Sequence, residues 1–132
     1  MKILIVEDEF ISRTLLSEML SVYGTCHITT NGQEAVEVLE RSYQNNDRYD
    51  LVCLDIMMPE IDGQEVLTKL RQMEEDHGIL EIEATKVIMT TALDDSKSIM
   101  RAFTEGHCEA YLTKPIDKDK LINQLKDLML IP

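Results

Sequence analysis

Four short apolar runs in this chain stop on residues that can do chemistry. KILIV is followed by Glu7-Asp8, LVCL by Asp55, KVIM by Thr90-Thr91-Ala92, and AYLT by Lys114-Pro115. A carboxylate closing a burial-prone run needs a reason, because an ionised carboxylate is expensive to bury unpaired. Helix capping or a turn at the water's edge is one reason. A site that uses the charge is another, and the residue types as a set suit it. Carboxylates are hard oxygen ligands for a divalent cation. A carboxylate beside such a cation can attack a phosphoryl group, a lysine adds a mobile positive point charge, and a threonine hydroxyl can donate to a phosphoryl oxygen. Those are the parts that phosphoryl transfer needs.

Whether these residues meet depends on the elements that carry them. Lys2–Val6, Thr25–Thr29, Tyr49–Leu54, Lys86–Thr90 and Glu109–Thr113 read as strands, the first nearly all apolar as when both faces of a sheet are covered. Helical patterns separate them. Ile11, Leu15, Met19 and Val22 form the first stripe, closed by Gly24, and Ala35, Val36 and Leu39 the second, after Asn31-Gly32. Gln64–Glu75 carries Val66, Leu67, Leu70 and Met73. Asp94 caps a segment with Ile99, Met100 and Phe103, and Leu121, Leu125, Leu128 and Met129 mark the last helix. The acidic stretch Glu74–Glu83 reads as a solvated loop.

The alternation is (βα)5, an α/β fold with a five-stranded doubly wound parallel sheet in the flavodoxin-like order 2-1-3-4-5. In that order the first and third strands are neighbours, so Glu7, Asp8 and Asp55 converge at the carboxyl edge where such sheets bind ligands. Three carboxylates that close repel one another, and Mg²⁺ would hold them, with Mn²⁺ a plausible substitute.

The bulk numbers narrow the classes. A chain of 132 residues fits one domain. A net charge of −12 opposes direct nucleic-acid binding, which needs a basic face. No apolar run approaches 18 residues, so no membrane span is predicted and cytoplasmic residence is the default. Cys26, Cys53 and Cys108 match no zinc spacing, and Cys53 reads as a small core residue.

The motifs ILIVED, LVCLDIMMPEIDG, VIMTTA and AYLTKP, in this order, resemble a response-regulator receiver domain of two-component signalling, similar to the chemotaxis regulators. The resemblance covers essentially residues 1–132, with no output domain in this chain. It implies Asp55 as the phosphoacceptor and Asp8 as a direct metal ligand. Glu7 would act on the metal largely through water, and the backbone carbonyl of Met57 would complete the protein's share. It assigns the site hydroxyl to Thr91, followed by Ala92, where spacing alone leaves Thr90 and Thr91 equal. It implies a cis peptide at Pro115 that aims Lys114 inward, and a loop shaped by Pro59 and Gly63. Tyr111 would act as a switch that biases a face of the fourth helix, fifth strand and last helix. Three features are variants: Glu7 where many relatives carry aspartate, a longer acidic segment between Gly63 and Thr91, and a thioether at Met57 that bears on how water reaches the acyl phosphate.

The implied partner is a sensor histidine kinase or a histidine phosphotransfer protein, because His27, His77 and His107 are scattered and none suits a donor. A homodimer linked to phosphorylation stays open, as does the downstream target. Read this way the chain is not an enzyme in the ordinary sense and catalyses only its own aspartyl phosphorylation and dephosphorylation. An aspartyl-phosphate phosphatase would place a second Asp where Met57 stands. A flavin or nucleotide binder would need a glycine-rich loop where the chain reads EDEFIS. A docking module that no longer receives a phosphoryl group would not need the full residue set.

Overall fold

The computed structural model describes residues 1–92, 97, 100–101, 104 and 107–132. Five strands, β1 (Lys2–Val6), β2 (Thr25–Thr29), β3 (Leu51–Asp55), β4 (Lys86–Thr91) and β5 (Ala110–Thr113), form one sheet ordered β2-β1-β3-β4-β5. Every pairing is parallel. Four helices lie among the described residues: α1 (Phe10–Leu20), α2 (Gly32–Gln44), α3 (Gly63–Asp76) and α4 (Lys118–Asp127). The expected doubly wound fold is therefore present. Asp94, Ile99 and Phe103, expected on a further helix, lie outside the described residues.

Strand alternation splits the core in two. Leu4, Val6, Val52, Leu54, Val87 and Met89 face α2 and α3, where Val66, Leu67 and Leu70 pack as the stripe predicted. Ile3, Ile5, Cys53, Ile88 and Leu112 face α1 and α4, against Leu16, Leu20, Leu121 and Leu125. Cys53 is a core residue as expected, and burial pushes its thiol up to about 12.

Side-chain oxygens cap three helices: Asn31 accepts from the Glu34 amide at 2.8 Å, Asp62 from Glu65 at 3.0 Å, and Asp117 from Lys120 at 3.1 Å. Gly63 is required for another reason. Its amide donates to the Ile56 carbonyl at 2.9 Å, and a Cβ there would overlap the Asp55 carbonyl oxygen and stand 2.8 Å from Ile56 Cα. Gly63→Ala is expected to cost about 1–3 kcal/mol and to displace the Asp55 backbone. Thermal melting and the Asp55 amide resonance read both effects.

Three sequence expectations are corrected. The buried stripe of α1 is Ser12, Leu16 and Leu20, whereas Ile11 (66% exposed) and Leu15 (39%) face water, as does Val22 beyond the helix. The last helix ends at Asp127. Met129 follows it at φ 60 and is exposed, and Leu130 and Ile131 pack on the core in its place. The acidic stretch Glu74–Glu83 is not simply a solvated loop. Its first residues finish α3, Glu81–Glu83 form a 3₁₀ turn, and Glu74 is buried.

The Glu74 carboxylate accepts from the Thr85 amide at 2.7 Å and from Arg71 Nη1 at 2.8 Å. Arg71 also donates to the carbonyls of Thr85 at 2.9 Å and His107 at 2.8 Å, and to Glu109 Oε1 at 3.1 Å. Glu109 Oε2 in turn accepts from the Val87 amide at 2.6 Å. This network ties the end of α3 to the amino ends of β4 and β5.

Candidate functional site

Register brings the predicted residues together. Val6 pairs with Leu54, and Asp55 with Thr90, so the residue after β1 stands beside the last residue of β3. Thr91 pairs with Thr113, and the Lys114 amide continues that ladder to the Thr91 carbonyl at 2.8 Å. Glu7, Asp8 and Asp55 offer carboxylate oxygens that all lie within 4.8 Å of one another. Lys114 Nζ bridges two of them, at 3.0 Å from Glu7 Oε1 and 3.3 Å from Asp55 Oδ2. The Lys114–Pro115 peptide is cis.

Asp55 is 2% exposed and Glu7 fully buried, while Asp8 is exposed. Backbone amides hold the two buried carboxylates: Glu9 donates to Glu7 Oε1 at 3.1 Å, and Met57 to Asp55 Oδ1 at 3.2 Å. Burial, and after it the Glu7 charge, raise the Asp55 carboxyl to about 7, against the pull of Lys114. Burial acts to lower the proton affinity of Lys114, but the hydrogen bond it donates to Glu7 and the charges of Asp55 and Glu7 outweigh it and hold the ammonium above its ordinary value.

The donor set fits a hard divalent cation. It is all oxygen, it carries more negative charge than Lys114 balances, and Glu7 Oε2 is buried with no hydrogen-bond partner. Such an atom calls for an ion or a water.

Other predicted residues stand apart. The Thr91 hydroxyl is buried and donates to the carbonyl of Ala92 at 3.2 Å, not to a site carboxylate. Tyr111 is 41% exposed on β5, whose neighbours Ala110 and Leu112 face the core. Pro59 lies exposed in the loop between Asp55 and Gly63, and the Met57 side chain projects into solvent. Two contributors are not apparent from the sequence. Arg13 Nη1 donates to the Asp8 carbonyl at 3.0 Å, which fixes the turn carrying that carboxylate. Ile11 and Leu15, expected in the core, line a groove with Lys114, Pro115 and Ile116 beside the site. For that groove the alternative stripe Ser12–Leu16–Leu20 is the available signal.

A parallel sheet in this order, with an acidic cluster where strand order reverses, defines a flavodoxin-like α/β protein. The chain belongs to the response regulator receiver domain family, whose model matches residues 3–126. It is thus a receiver domain of two-component signalling, the class of module that takes phosphoryl groups from histidine kinases. The transcriptional regulatory protein SrrA of Staphylococcus aureus is 34% identical over 129 residues, 97% of this chain and 47% of its own length. The receiver domain of a signal transduction histidine kinase from Syntrophus aciditrophicus has a TM-score of 0.76 at 30% identity, covering 97% of this chain and 89% of that one. The receiver domain of Ssk1 from Saccharomyces cerevisiae, solved with the histidine phosphotransfer protein Ypd1, has a TM-score of 0.81 at 25% identity, covering 97% and 88%. The chain spans about half the length of the curated relatives it matches. No helix among the described residues is long and apolar enough to cross a membrane.

Proposed function

We propose that Asp55 accepts a phosphoryl group from a phosphohistidine on a partner protein, in a cytoplasmic reaction that requires Mg²⁺, with Mn²⁺ able to substitute. The observation that carries this reading is the buried Asp55 carboxylate, set between Glu7 and Lys114 at the carboxyl edge of the sheet. Its Oδ1 is engaged by the Met57 amide, which leaves Oδ2 as the attacking oxygen. As Oδ2 bonds to phosphorus, the phosphorus–nitrogen bond of the donor breaks and its electron pair stays on the imidazole. Lys114, now facing Glu7 and Asp55, turns to a phosphoryl oxygen. Asp8, Asp55 and the Met57 carbonyl, with Glu7 behind them, would hold the cation, which supplies neutralising charge for the incoming group.

The Thr91 hydroxyl exchanges the Ala92 carbonyl for the phosphoryl group, and Tyr111 follows it. Local charge thereby biases a face made of β5, α4 and the segment before β5. The groove of Ile11, Leu15, Pro115 and Ile116 suits a docked donor, because it is apolar and opens beside Lys114. A histidine kinase or a histidine phosphotransfer protein is the partner this implies.

Intact mass after incubation with acetyl phosphate and Mg²⁺ tests the assignment. One added phosphoryl group is expected, absent in a chelator. Labelling that survives Asp55→Asn, or runs to completion without a divalent cation, would overturn it. Sustained turnover of small phosphate esters would point instead to a phosphatase.

Cation binding has its own test. Mg²⁺ in large excess over its dissociation constant is expected to stabilise the wild type by about 2–3 kcal/mol, read as a rise in melting temperature. Glu7→Gln should reduce that rise. An equal rise in Glu7→Gln would remove Glu7 from the metal site.

A further inference from the structure

Thr90, rather than Thr91, shares the sheet face of Asp55. Ile5, Cys53, Ile88 and Leu112 all point into the core beneath α1 and α4. Two residues on, Glu7, Asp55, Thr90 and Lys114 therefore project from that same face in the next layer. Thr91 falls in phase with Met89, which faces the other core. Asp55 and Thr90 are direct partners across β3 and β4. Thr90 is 1% exposed, yet its hydroxyl has no hydrogen-bond partner. Buried hydroxyls left so are uncommon, and each asks for a role. Lys114 comes from β5, across β4, to reach Asp55 Oδ2. Oδ1 is held by the Met57 amide, so Oδ2 is the oxygen free to change partners when Lys114 turns away.

Resting on the phosphoacceptor reading of Asp55, we propose that Thr90 is a further catalytic residue, acting in hydrolysis of the acyl phosphate. In that step a water oxygen bonds to phosphorus and the bond from phosphorus to Oδ2 breaks. The electron pair returns to Asp55 as carboxylate, and both hydrogens of the water leave with the phosphate. Lys114 has by then turned toward a phosphoryl oxygen, so Oδ2 has lost its cation. The Thr90 hydroxyl donates to Oδ2 as charge develops there. A hydrogen bond to a charged oxygen is strong enough to change the rate by about tenfold.

The test compares wild type, Thr90→Val and Thr90→Ser, each loaded with acetyl phosphate and Mg²⁺, freed of donor, and followed by intact mass. Valine keeps the shape and removes the hydroxyl; serine keeps the hydroxyl. The Thr90→Val acyl phosphate is expected to last about tenfold longer than that of wild type, and that of Thr90→Ser to stay within about twofold. Thr90→Val should melt no lower than wild type, because it removes only an unpaired buried hydroxyl. An unchanged lifetime in Thr90→Val, an equal change in both variants, or a Thr90→Val that melts below wild type would each overturn the role. A wild type that takes no phosphoryl group would overturn the phosphoacceptor reading and this inference together. A labelled wild type matched by Thr90→Val removes only the inference.

Discussion

Asp55→Asn is expected to abolish phosphoryl labelling and, in the metal-free protein, to raise stability above pH 7. Both effects follow from the same buried carboxylate. Its proton affinity in the folded state, near pH 7, stands well above the ordinary value of 3.8. Between those values the native state holds a proton that the unfolded chain has released. The raised affinity therefore stabilises the fold fully below the unfolded value, and that contribution is lost as pH rises through about 7. An amide never ionises, so the variant keeps what the wild type loses. Roughly three pH units bound the gain at about 4 kcal/mol, less whatever Lys114 and Glu7 recover by shifting. Melting in a chelator at pH 4 and pH 8 reads it: the two proteins should be close at pH 4 and separate at pH 8. A variant that melts at or below wild type at pH 8 would mean that Lys114 fully compensates the charge. Mg²⁺ should close the gap from the wild-type side, since its binding and the charged carboxylate stabilise each other.

The other large effect lies at the opposite end of the sheet. Arg71→Met is expected to destabilise the protein by about 3–5 kcal/mol, lowering the melting temperature by about 10–20 °C. Arg71 neutralises both Glu74 and Glu109 and donates to two carbonyls besides. The side chains of the two glutamates are 7% and 22% exposed. Burial already raises the Glu109 carboxyl, and Arg71 opposes that shift. Methionine fills similar space and leaves two carboxylates without their cation, so the loss comes from charge rather than from packing. A change smaller than about 1 kcal/mol would place this network with surface ion pairs of little worth.

The architecture is legible because each local signal agrees with the others. Central strands apolar on both faces, helical stripes between them and functional residues at strand ends all specify one parallel sheet. Ambiguity enters where two patterns satisfy the same rule. Helix α1 carries both Ile11–Leu15–Met19 and Ser12–Leu16–Leu20 at helical spacing, and the serine heading the latter gives it a polar character. Only the packing of β1 against α1 decides between them. Glu74 stands in a run of acids, and nothing local shows that the Thr85 amide and Arg71 will meet it. At the site, strand ends locate Glu7, Asp8, Asp55 and Lys114, but the phase of Thr90 against Asp55 needs the register. The exposed side chains at Ile11 and Leu15 carry the same lesson. Periodicity identifies a helix, while the face it buries depends on partners distant in sequence.

The two ends of β4 also divide the tolerance of this protein to change. The Arg71 network grips Thr85 and Val87, and the acidic cluster lies beside Thr90, about 10–17 Å away along an extended strand. Substitutions at such separations combine nearly additively. Sequence change at the amino edge can thus add or remove robustness while the carboxyl edge keeps its chemistry. Variants with altered acyl-phosphate lifetime can be sought at the carboxyl edge, with losses in stability offset from the other end.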